Sequence, residues 1–81
     1  MEKIDIFIMP IFCKKCKQPI NKIMPLLIKE FNVQPVFEFK YNFPMKFEAI
    51  RCVLPNIDDF KRIDSFLNKY GFMCINEGRH V

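Results

Sequence analysis

"VFEFKYNFPMKFEAIRCVL", residues 36–54, is the stretch on which the fold turns. Apolar and polar residues alternate through its first half. Phe37, Phe39, Tyr41 and Phe43 fall on one side, and Glu38, Lys40 and Asn42 on the other, the period-two signature of a half-buried strand. "NFPM" reads as a turn and "KFEAIRCVL" as a partner strand, so the two form a hairpin that Pro55 ends.

Toward the N-terminus, apolar residues recur at Ile20, Ile23, Met24, Leu27, Ile28 and Phe31, a helical stripe. Pro19 suits the first turn, where its missing N–H costs nothing, and Pro25 inside the helix should bend the axis. Before this helix, Ile4 to Met9 are β-branched, aromatic or otherwise apolar in the main and read as a buried strand that Pro10 ends. Beyond the hairpin, Asn56 is a good N-cap, and Asp58 and Asp59 suit the positive end of a helix dipole. Ile57, Phe60, Ile63, Phe66, Leu67 and Tyr70 form that helix's apolar face, and Gly71 is a typical stop. "FMCI" resumes extended structure before a polar tail, "NEGRHV", in which the only histidine, His80, reads as a frayed terminal residue. The order is β-α-β-β-α-β. Right-handed crossovers then favour an α+β, ferredoxin-like sandwich: an antiparallel sheet in the order 4-1-3-2 with two helices on one face.

The chain has 81 residues, enough for one domain spanning 1–81, and 51% of them are hydrophobic, so there is material for a core. The charged fraction, 27%, is ordinary for a folded chain. No apolar run approaches the ~18 residues of a membrane helix, and no basic segment precedes "IDIFIMPIF" as a signal peptide requires. The expected compartment is therefore the cytoplasm, where thiols stay reduced. Two glycines and one histidine leave no phosphate-binding glycine loop and no Ser-His-Asp set, so the residues point away from enzyme chemistry.

Against that background, "FIMPIFCKKCKQPI", residues 7–20, stands out. An apolar strand ends in Cys13 and Cys16, spaced C-x-x-C, with Lys14 and Lys15 between them and Lys17 after. No acidic residue lies between Asp5 and Glu30, and Lys22 and Lys29 fall in the same interval, so much of the net charge of +4 gathers here. A helix N-terminus and adjacent lysines both favour thiolates, and a two-residue spacer lets two sulfurs turn toward one point. That pairing suits Cu(I), or with further ligands Zn²⁺; Ag⁺, Cd²⁺ and Hg²⁺ are also thiophilic enough to consider. Cys74, at the start of the fourth strand, is a candidate third sulfur. Cys52 should lie toward the opposite end of the sheet. The lysines would offset the charge of a bis-thiolate site and steer an acidic partner.

The combination resembles the heavy-metal-associated domain, the family of copper chaperones, mercury-binding proteins and the N-terminal modules of copper-exporting ATPases. "CKKCKQPINKI" matches its C-x-x-C followed four residues on by an aliphatic, here Ile20. "DDFKRIDSFLNKYGF" resembles the family's ending of helix two in Lys69, Tyr70, Gly71 and Phe72. Pro10, Ile11 and Phe12 stand where members commonly carry Gly-Met-Thr. The resemblance implies a small metallochaperone-like carrier in which Cys13 and Cys16 hold the ion and Phe72 packs near the metal loop. It also implies a cysteine-bearing partner such as a metal-transporting ATPase domain. A homodimer bridged by one ion is open too.

Two other readings stay beside it. A thiol–disulfide redox pair also uses C-x-x-C between a strand and a helix, although no Trp or Gly-Pro flanks this one. A ferredoxin-like module that binds a protein through its basic face or sheet edge would leave the cysteines incidental. Nucleic acid is disfavoured as its partner, because the strand aromatics alternate with glutamate as well as lysine and no ribonucleoprotein-type Gly-aromatic motif is present.

Overall fold

Ile4, Ile6 and Ile8, spaced by two, put a stripe with no more than 1% exposure along one side of the first strand. The rest of the chain assembles on it. The computed structural model describes residues 2–12 and 19–81. Its elements run β1 (Ile4–Pro10), α1 (Ile20–Phe31), β2 (Gln34–Tyr41), β3 (Phe47–Leu54), a single 3₁₀ turn (Ile57–Asp59), α2 (Phe60–Asn68) and β4 (Phe72–Arg79). The strands form one antiparallel sheet in the order β2-β3-β1-β4. This is the expected 4-1-3-2 order read from the other edge, in a small α+β domain consistent with a ferredoxin-like fold. No described helix is long and apolar enough to cross a membrane.

The core is one cluster. Alternate residues of β1 and β3, joined by Phe72 and Cys74 of β4, meet Ile23, Met24, Leu27 and Phe31 of α1 and Ile63 and Leu67 of α2. The helices also touch each other, with the Phe31 and Phe66 rings edge to face at 5.8 Å. Among the described residues no polar or charged one is buried with them.

Local signals explain the ends of the helices. Pro19 occupies the N-cap of α1, one position before the helix begins, and the helix continues through Pro25 to Phe31. Asn32 ends it in a left-handed conformation, φ 56°, and its N–H donates to the Ile28 carbonyl. Asn56 caps the next turn as expected, its side-chain oxygen accepting from the Asp58 N–H at 3.0 Å. Gly71 turns the chain out of α2 with φ 87°, a conformation that costs glycine nothing.

Four expectations change. Phe43 is not on the strand: β2 ends at Tyr41, and Phe43 lies in the turn, 89% exposed. The polar tail is not a tail, because β4 runs on through "NEGR" to Arg79. His80 is not frayed either. Its N–H donates to the Lys3 carbonyl at 2.9 Å, and its Nδ1 lies 2.8 Å from Asp5 Oδ1. A bulge opposite Ile4 and Ile6, eased by Gly78 at φ 103°, brings the histidine to that position. Lastly, Ile28 belongs to the sequence stripe of α1 but is 42% exposed, at the outer rim of the apolar face.

That last difference sets up a direct comparison. Leu27→Ala, which empties a fully buried site, should cost about 2–5 kcal/mol in urea unfolding. Ile28→Ala, one residue on, should stay within about 0.5 kcal/mol of wild type.

Candidate functional site

The sheet has two sides, and the helices account for one of them. On the other, the strand registers line side chains into rows. Phe37, Arg51, Phe7 and Ile75 form one complete row across all four strands. Beside it Phe39 faces Ala49 and Met9 faces Met73, and beyond these Tyr41 faces Phe47.

A bulge decides that the rings of β2 are on this side. Pro35 pairs with Cys52 and Phe37 with Arg51, so Val36 is an extra residue that opposes nothing of its own. Cys52 points into the core. Without the extra residue Phe37 would point there too, because a one-residue slip exchanges the two faces of a strand. The alternation in the sequence is therefore real, but β2 is not half-buried against the core. None of its residues is buried.

The rings instead pack on one another. Tyr41 stacks on Phe47, with centroids 4.5 Å apart and planes 14° from parallel, and Phe39 continues the stack at 6.2 Å and 17°. Phe37 leans on Phe39 at 4.8 Å, Phe7 meets Phe39 edge-on at 5.6 Å, and Phe12 meets Phe47 edge-on at 5.0 Å. Each such contact adds about 0.5–1.5 kcal/mol beyond area burial. Even so, Phe37 remains 59% exposed and Ile75 42%. Polar groups at this face meet one another: the Arg51 guanidinium donates twice to Glu77, at 2.9 and 3.2 Å, and His80 Nδ1 lies 2.8 Å from Asp5 Oδ1. Its hydrogen bond to Glu77, then the Glu77 charge, raises the Arg51 pKa above its ordinary value.

At the end of the sheet where β1 leaves and β3 enters, Pro10, Phe12, Pro19, Phe47 and Phe72 line a cavity of about 360 Å³. Phe72 thus lies beside the two described ends of the segment that carries C-x-x-C. Cys13, Lys14, Lys15, Cys16 and Lys17 themselves lie outside the described residues. Lys22 is exposed on the first turn of α1.

Cys74 faces the core opposite Ile8, and Cys52 faces it opposite Ile6, on the other side of β1. Both are free thiols, 6% and 0% exposed. Burial pushes each pKa up to about 12, and at Cys74 the Asp64 carboxylate adds to the effect. Asp64 Oδ1 accepts from the Cys74 N–H at 3.1 Å and lies 3.8 Å from its sulfur. A thiol kept protonated in this way is a poor thiolate ligand. Among the described residues no group of three or more His, Cys, Asp or Glu side chains is arranged to hold a metal ion.

Sequence reasoning passed over the open face. Its signal was available in the six rings of Phe7, Phe12, Phe37, Phe39, Tyr41 and Phe47, more than one side of so small a core can absorb. The chain matches no family model, no curated protein and no solved structure.

The buried thiols carry a pH dependence. Above pH 9 the unfolded chain loses these protons, while the folded chain holds them to about 12. The unfolded state then binds fewer protons, so stability falls as pH rises through that window. The urea midpoint should drop between pH 8 and 10.5, and a Cys52→Ala/Cys74→Ala variant should show a shallower drop.

Proposed function

We propose that the chain is a non-catalytic binding module whose working surface is the open, ring-lined face of the sheet. The row Phe37–Arg51–Phe7–Ile75 carries this reading, because it leaves large apolar side chains in water at both of its ends. A contiguous apolar patch of this kind is what binding surfaces present, and it is costly to leave uncovered. The scaffold is a ferredoxin-like sandwich with both helices on the opposite side.

A photo-crosslinking amino acid at position 37, compared with one at Lys61 on the outer side of α2, tests the reading in cells that make the protein. Irradiation should give a discrete adduct from position 37 and none from position 61. Equal labelling at both sites, or none at either, would end it.

A second reading rests on Cys13 and Cys16, which fall in sequence between the end of β1 at Pro10 and the start of α1 at Ile20. This strand-to-helix setting is the one the heavy-metal-associated resemblance implies. In this reading the pair carries Cu(I), or Zn²⁺, Ag⁺, Cd²⁺ or Hg²⁺, as cargo in the cytoplasm. Lys14, Lys15, Lys17 and Lys22 receive an acidic, cysteine-bearing partner such as a metal-transporting ATPase domain, and a partner thiolate displaces one sulfur at a time. Cys74, protonated in the core, takes no part. Anaerobic titration of the reduced protein against a Cu(I) chelator should show about one ion bound per chain by the two-thiolate chemistry. Cys13→Ala and Cys16→Ala should each abolish uptake without unfolding the chain. Single variants that bind like wild type would remove the cysteine site.

A further inference from the structure

We infer that the occupant of the open face is a second copy of this chain, packed sheet on sheet across a twofold axis. The inference rests on the binding-face reading above and adds the identity of the partner.

Three observations select a second copy. The first is charge. The chain carries +4 overall, so two copies repel each other over most of their surfaces. On the open face Arg51 is neutralised by Glu77, and Asp5 Oδ1 lies at hydrogen-bond distance, 2.8 Å, from His80 Nδ1. An isologous contact brings a surface against itself, so an unpaired charge near the axis would meet its own like. This face presents its arginine already paired and its aspartate already in contact with a histidine.

The second is ring geometry. A single-stranded nucleic acid needs ring planes free for bases and unpaired cations for phosphates. Here Phe39, Tyr41 and Phe47 stand nearly parallel and cover one another's planes. The face's own arginine is committed to a carboxylate. What remains outward is apolar surface, from Phe37, Met73 and Ile75. Apolar side chains of this kind interdigitate between two sheets packed ~10 Å apart.

The third is size. Strands of up to eight residues, four abreast, give a plan area on the order of 500 Å² from ordinary strand rise and spacing. Relief of the rings raises the accessible area above the plan figure, toward the ~800 Å² a side of a standard interface. A smaller ligand would leave much of the row of Phe37, Phe7 and Ile75 wet.

Sedimentation equilibrium over a concentration series, on wild type and on Phe37→Lys and Ile75→Lys, tests this. Both sites are exposed at opposite ends of one row, so circular dichroism should show the fold retained. Wild type should sediment as a reversible dimer, and each lysine should weaken association about tenfold or more by placing a charge in a desolvated contact. A dimer that survives both lysines uses another surface, which overturns the proposal. A wild type that stays monomeric at every concentration also overturns it, and the position-37 adduct then separates the two ideas. One heterologous protein, or an RNA, in that adduct keeps the binding face and removes the second copy. No adduct removes both.

Discussion

The stripe of Ile4, Ile6 and Ile8 on β1 is the contact on which the other elements depend. β1 is a central strand, paired with β3 on one side and β4 on the other, so its inward residues are neighbours to inward residues of both. Those residues are also what α1 and α2 bury, in one cluster without a polar group. At ~25 cal/mol per Å² of apolar surface, a single layer of helices can stabilise one side of the sheet, and the described residues supply no third layer for the other side. The exposed rings follow from that shortage.

Much of this was legible in the sequence because it is written in local periods. A two-residue period for β2, a β-branched and aromatic run for β1, a three-to-four-residue period for the helices, and Asn56 and Gly71 as punctuation set the element order, and handedness then leaves few topologies. What was not legible was the side to which β2 turns. Its alternation has equal strength whichever face it serves, and the deciding feature is the unpaired Val36 at the bulge, visible only once β3 lies alongside. The same holds for β4. "NEGR" has a loop composition, yet it is held as strand by pairing with β1 and by the Gly78 bulge.

The four cysteines divide by the same logic. Spacing alone marks Cys13 and Cys16 as a pair, since C-x-x-C has meaning along the chain. Topology sets Cys74 beside them, because an antiparallel β4 starts near the end of β1. The strand does start there, with Phe72 opposite Pro10. Two residues on, however, the alternation that makes Phe72 a core residue makes Cys74 one as well, and its thiol is held protonated. Proximity in a fold diagram does not say which way a side chain points.

Phe12 connects the two proposed sites. It precedes Cys13 in the chain, and its ring packs edge-on against Phe47 in the open-face stack while also lining the cavity with Phe72. A partner that covers the open face therefore presses on a residue continuous with the C-x-x-C segment. The two sites are coupled only if Phe12 has two packings whose balance each event shifts, and binding free energies then change reciprocally. If Cu(I) tightens self-association, self-association must tighten Cu(I) by the same factor.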